Sequence, residues 1–325
     1  RRRLGHRSRL GRLGLRHPDV DGALARFVDS DIGPVPEGWE AALDGNVETV
    51  RADAALDLWP MALAPRTRVW LTQALQEARL DDFRVALRVA PDVPLRREMT
   101  WRFDETVFSP LKEGFPPIRE GAGYASLGSN GFTLSFEQGR VQAPEGGEGL
   151  DLSGSVFRVP VLGVRPAQGE LDLKAEGDLV EMLSILDQAP LRLLRGVPEQ
   201  TILADAGNVS LQANVSWPLR PKVKFEDTVV SVQAVLRDVV AERLVPGRTL
   251  TAEQLFLQAD NALLTLSGPA QFSGVPVEGT FRRKIGPQGA GTPSIVDVTA
   301  EAGETAHLGV LEPERVPDRP QPAPG

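Results

Sequence analysis

The chain has 325 residues, with 36 Lys+Arg against 44 Asp+Glu and a formal charge of −8. It has no Cys and 3 His, which removes disulfides, thiolate metal sites and Cys nucleophiles and leaves little for a His-based centre. The acidic balance argues against a nucleic-acid partner, and no run approaches the roughly 18 consecutive apolar residues of a spanning helix.

Charge is concentrated at the start. Arg1, Arg2, Arg3, Arg7, Arg9, Arg12 and Arg16 fall within 16 residues that hold no acid, and without these seven the rest of the chain carries −15. Gly5, Gly11 and Gly14 work against a stable helix there. Residues 1–45 therefore read as an Arg-rich, poorly ordered or truncated region, with a polybasic membrane-surface arm and a processed leader as alternatives. The chain begins at Arg1 and not at Met, so upstream sequence is expected.

A first helix is expected over 65–78, with Pro65 at its first position and Trp70, Leu71, Ala74, Leu75 and Ala78 as an apolar stripe. Strict alternation then predicts strands. Phe83, Val85, Leu87 and Val89 share one face of 83–89. Phe132, Leu134 and Phe136 oppose Thr133 and Ser135. Leu171, Leu173 and Ala175 alternate with charged residues. A second helix is expected over 179–188, capped by Asp178 with Glu181 three residues on, and with Leu179, Met182, Leu183 and Leu186 as its apolar face. Val209 to Trp217 and Val230 to Leu236 alternate again. Shorter strands fit 256–259, 263–267 and 275–281. The Gly-rich run Gly121–Gly131 reads as a mobile connection. Residues 286–325 are Gly- and Pro-rich and read as a disordered tail. Each strand has one apolar and one polar face, which is the pattern of an antiparallel sheet, and no βαβ rhythm is present.

The search for chemistry finds no G-x-S-x-G elbow, P-loop or H-E-x-x-H. His6, His17 and His307 all lie outside the patterned body. The acidic pairs Asp81–Asp82 and Glu226–Asp227 fall beside strand starts, where adjacent residues point to opposite faces, so they read as turn or edge residues. No cofactor, metal or catalytic residue is expected.

The segment DLWPMALAPRTRVWLTQALQEARLDDFRVALRVAPD (57–92) joins a Trp-Pro, an Ala-Pro, a Thr-Arg-x-Trp and a helix, followed by an Arg-Leu-Asp that opens a strand. Downstream come ILDQAPL, Leu244–Ala252 (LVPGRTLTA) and Gly274–Val277 (GVPV). In this order these segments resemble the AsmA-like superfamily of bacterial envelope proteins, specifically the YhdP-like branch that includes relatives of TamB. The similarity covers about residues 46–285, and its specificity lies in the order of the segments. It implies a mainly β fold, an elongated and curled antiparallel sheet forming a groove (a β-taco), here with two short helices. It also implies a periplasmic protein, tethered to the inner membrane by an N-terminal helix that this chain lacks. Such a protein carries phospholipids between the inner and outer membranes in company with other envelope proteins.

Parity selects the residues that would line such a groove and contact phospholipid acyl chains: Phe132, Leu134, Phe136, Leu211, Val215, Val232, Leu257 and Val277. A one-residue register slip would exchange the two faces. Trp59, Trp70 and Trp101 are expected as core or helix anchors. Three readings stay open at this level: a lipid-carrying groove, a scaffold acting through its sheet edge, and a carbohydrate-active sandwich with two convergent carboxylates. A closed sandwich that buries the apolar faces against each other and binds nothing fits the same alternation.

Overall fold

The computed structural model describes residues 13–16, 40–57, 65–90, 93–110, 115–188, 203–220, 222–245, 247–285 and 294–300. In chain order the elements are β1 (Leu13–Arg16), β2 (Glu40–Arg51), α1 (Ala52–Asp57), α2 (Pro65–Ala74), β3 (Leu75–Ala90), β4 (Val93–Phe108), β5 (Ile118–Leu127), β6 (Phe132–Val141), β7 (Leu150–Asp151), β8 (Val156–Val159), β9 (Gln168–Asp178), α3 (Leu179–Asp187), β10 (Ala206–Pro218), β11 (Val229–Val245), β12 (Arg248–Asp260), β13 (Leu263–Phe272), β14 (Val275–Lys284) and β15 (Ile295–Ala300). All strands belong to one antiparallel sheet. Fourteen of them follow one another from β1 to β15 in chain order, and β8 sits off this path, pairing with β6 and β9.

The apolar residues lie on one face because directly paired residues of an antiparallel sheet point the same way. One row runs Trp101–Ala125–Leu134–Phe157–Leu171–Val215–Val230 across β4 to β11. A second runs Ala175–Leu211–Ala234–Leu257–Leu266–Phe281–Val296 across β9 to β15. The opposite face carries ion pairs. Arg79 meets Asp81, Asp104 and Glu105, while Arg102 meets Glu137, Arg158 meets Asp172 and Arg282 meets Asp297. All are solvent-accessible, so each adds little stability singly. Their value is in keeping that face wet.

Strand β5 presents small residues to the inward face. Its inward residues are Gly121, Gly123, Ala125 and Leu127, and Ala125 is 0% exposed. Strands two apart in a flat sheet are about 9.6 Å apart. Yet the Trp101 and Phe132 ring centroids, on the strands flanking β5, are 6.5 Å apart, and those of Phe103 and Phe136 are 5.5 Å apart. The large rings close over the small residues between them. A Cβ on Gly123 would collide with the Phe103 ring and the Ser135 carbonyl. Of the segment expected as a mobile connection, residues 121–127 are thus part of β5, and only 128–131 connect it to β6.

The three helices all lie at the same ends of the strands, after β2, before β3 and between β9 and β10. Helix α1 went unforeseen, because six residues are too few to show a helical period. Helix α2 ends at Ala74, four residues before the expected end, because Leu75 onward is taken into β3. Its Trp70 packs edge-on against Phe108, with centroids 5.4 Å apart. Asp178 caps α3 as expected, accepting from the Val180 and Glu181 N–H groups. Glu181 does not complete the capping box. Its carboxylate accepts from Glu148 N and Gly149 N instead, which ties α3 to the turn before β7.

Two expected boundaries also move. The sheet takes in β1 and the start of β2 from the region 1–45, and β15 from the region 286–325. The Gly/Pro content around 286–293 masked a short alternating run at 295–300.

Candidate functional site

Burial divides the inward face into two parts. In β4 to β8 it is a sealed core. Met99, Trp101, Phe103, Leu127, Phe132, Phe136 and Val159 are all buried, and Leu127 is 1% exposed. A chain of rings crosses this region: Phe83–Trp101, Trp101–Phe132, Phe132–Phe157 and Phe157–Trp217, at centroid distances of 6.0, 6.5, 6.3 and 5.8 Å. From β9 to β14 the face is most fully buried near the helices, although Ala213 and Ala234 farther along are buried too. Near the helices Ala175, Val209, Leu236, Val239, Ala252 and Leu255 are buried in one cluster with Leu179, Met182 and Ile185 of α3, and Val277 is buried outside that cluster. Farther along the same strands, Leu171, Leu173, Leu211, Val215, Val230, Val232, Leu257, Leu264, Leu266 and Phe281 are half-buried, and Leu173, Leu211, Leu257 and Leu266 pack against the buried cluster.

The eight residues selected by parity therefore share the inward face but not the same surroundings. Phe132 and Phe136 are inside the sealed aromatic core, and Val277 is buried near the helix ends. They have too little free surface to line an open groove. Leu134 is half-buried beside Phe157 and Ala125. Leu211, Val215, Val232 and Leu257 lie within the half-buried stretch. Sequence reasoning missed Leu171, Leu264, Leu266 and Phe281 as members of it, although their alternation carried the signal. Trp70 and Trp101 are anchors as expected, while Trp59, His6, His17 and His307 lie outside the described residues.

At the β15 edge the inward apolar row does not stop. Val296 and Val298 are 63% and 51% exposed, and β15 pairs only with β14 among the described residues.

Two concavities of about 350 and 270 Å³ lie elsewhere, on the charged face. The first is lined by Arg119, Glu120, Arg140, Gln142 and Glu148. In the second, Asp81, Asp104 and Glu137 each accept a hydrogen bond from an arginine, either Arg79 or Arg102. Those carboxylates are committed to ion pairs. Glu226 and Asp227 sit in a 3-10 turn, where Asp227 is held below the usual carboxylate range by its bond from Arg220. Among the described residues no group of three or more metal-ligating side chains converges, and no helix is long and apolar enough to cross a membrane.

Comparison with models of known protein families, with curated proteins and with solved structures returned no match. The class defined by the structure itself is a single-sheet, mainly β protein with one apolar and one charged face.

Proposed function

We propose that this chain is a segment of a bridge-like periplasmic protein that carries phospholipids between the inner and outer membranes. Acyl chains would lie on the apolar floor of β9 to β14, with headgroups in water. The observation that carries this reading is the half-buried apolar stretch around Leu211, Val215, Val232 and Leu257, which the protein does not cover completely. A finished core buries such side chains, and a contiguous apolar surface left open marks a binding region. Each acyl CH₂ withdrawn from water contributes about 0.8 kcal/mol, so a partial contact captures a chain while still permitting release. The work is non-catalytic, since movement along an apolar path needs no acid, base or nucleophile. The resemblance of residues 46–285 to the AsmA-like superfamily supports the same reading, as well as the membrane-tethered setting and the envelope partners.

A second reading, an envelope scaffold acting through its sheet edge, is favoured by one observation, the exposed strand β15. An edge of this kind accepts an added strand from a partner.

The test is native mass spectrometry of the chain purified from a bacterial envelope, with lipid extraction of the same sample. Co-purifying phospholipid in a defined ratio is expected. Leu211→Asp and Val232→Asp should each retain at least about tenfold less lipid, because a charge on the floor is costly to cover with acyl chain, and both should keep a cooperative unfolding transition. Lipid-free wild type overturns the reading. Unfolding of both variants assigns these residues to the packed core instead.

A further inference from the structure

A third inward row runs Leu173–Ala213–Val232–Ala259–Leu264–Arg283 across β9 to β14. It ends in an arginine. Arg283 pairs with Leu264 and lies two residues from Phe281, so it belongs to the apolar face, whereas its neighbour Arg282 points to the charged face and pairs with Asp297 at 2.7 Å. Arg283 is half-buried and has no ion-pair or hydrogen-bond partner among the described residues. Of the other arginines at inward positions of these strands, Arg243 lies at the helix ends and is held by Asp205, and Arg248 lies at the same ends, exposed at the start of β12 and away from the row. Among the described residues, the sheet thus places a guanidinium without a partner at the rim of its apolar stretch.

We propose that Arg283 anchors the phosphate of a phospholipid whose acyl chain lies along the row that ends at this residue. The inference rests on the lipid-binding reading above and adds the headgroup chemistry and its position. Guanidinium binds phosphate through charge-assisted, bidentate hydrogen bonds, and its aliphatic stem packs against apolar neighbours while the charge reaches water. An arginine among leucines with no acid to pair with matches an amphiphile that brings both an anion and a hydrocarbon. Size agrees as well. Six strands from β14 to β9 span about 24 Å at 4.8 Å per strand, and an acyl chain occupies one leaflet of a hydrocarbon core about 30 Å thick, so it needs about 15 Å. With the phosphate at Arg283 the chain fits on the floor, short of the Phe157–Trp217 rings.

The experiment uses the full chain and two probes with the same acyl chains, vesicles of phosphatidylglycerol and phosphatidylcholine vesicles doped with diacylglycerol, which has no phosphate. Lipid taken up by the protein is quantified after re-isolation. Wild type is expected to take up both and to prefer phosphatidylglycerol. Arg283→Ala should lower phosphatidylglycerol uptake about tenfold, the scale of a lost hydrogen bond to a charged group, and leave diacylglycerol uptake unchanged. Arg283→Lys should restore part of the preference, and Arg282→Ala should behave as wild type. If Arg283→Ala keeps the full preference while lipid still binds, the anchoring role is overturned and the lipid-binding reading stands. If neither lipid binds to wild type, both fall. If inorganic phosphate alone displaces bound phosphatidylglycerol completely, Arg283 serves a free anion, and the lipid-anchoring role is overturned.

Discussion

Several single residues hold the ends of this sheet in place by binding backbone. Asp260 accepts from the Ala262 and Leu263 N–H groups in the turn between β12 and β13. Asn261 accepts from Val230 N and donates to the Thr228 carbonyl, joining that turn to the start of β11. Asp205 accepts from Glu242 N and pairs with Arg243. These contacts hold the Asp205 and Asp260 carboxyls below the usual range, in both cases chiefly through backbone N–H donors. Unfolded, each returns to about 3.9. The folded state then binds protons less readily than the unfolded state. The stability they add is therefore full above that ordinary value and is lost as pH falls through the lowered one. Asp205→Asn and Asp260→Asn should each lower stability at pH 7 and flatten the decline below pH ~4, measured by urea unfolding across pH. An unchanged acid slope would remove these carboxylates from the account. The Asp205 and Asn261 partners were not legible in the sequence, because they lie 31 to 38 residues away.

At the scale of elements, the alternating runs at 83–89, 132–136, 170–176, 209–217, 230–237, 256–259, 263–267 and 275–281 all fall inside observed strands. What alternation conceals is the point where it breaks. Asp82, Glu105, Glu120 and Asp238 adopt positive φ near 50°, and the buried positions change parity beside each of them. Leu80 is followed by Phe83 on the inward face, Phe103 by Thr106, Ile118 by Gly121 and Leu236 by Val239. Each is a bulge, an extra residue that bends its strand and lets the apolar face continue beyond it. A reader of sequence sees two short strands or a loop at such a place. The physical content is testable at Asp238, whose side chain makes no hydrogen bond among the described residues. Asp238→Gly should be neutral or stabilising by up to about 1 kcal/mol, since glycine tolerates the left-handed region, whereas Asp238→Val should cost more than about 1 kcal/mol. Equal effects from both substitutions would mean that φ is not the constraint. Helix α3 tells a similar story of partial legibility. Its cap was readable from Asp178, but the Glu181 bonds to residues 148 and 149 were not, because they join segments that are not neighbours in the sequence.

At the scale of the molecule, one side of the sheet is apolar from β3 to β15 and remains unfinished at its last strand. Val296 continues the row that starts at Ala175 in β9 and Val298 shares its face, with no further strand described beside them. An exposed apolar edge is a pairing site, and natural sheets blunt such edges with charge. Wild type should therefore self-associate with rising concentration, and Val298→Lys should remain monomeric with an unchanged unfolding midpoint, as measured by sedimentation velocity. A wild type that stays monomeric at all concentrations would remove the edge as an interaction surface. The mainly β class was readable from composition and alternation. The division of its apolar side into a sealed and an open part was not, since leucines and valines occur in both and only cross-strand packing separates them.

The order of strands in the sheet has a consequence for how the chain is made. Apart from β8, each strand joins the sheet beside the strand that precedes it along this path. No early strand waits for a distant partner, so loop closure stays inexpensive at every step. Such a chain can assemble in the order in which it emerges, whether from a ribosome or through a translocation pore. It zips up hairpin by hairpin on a template that is already standing, as stacked-repeat proteins propagate from one unit to the next.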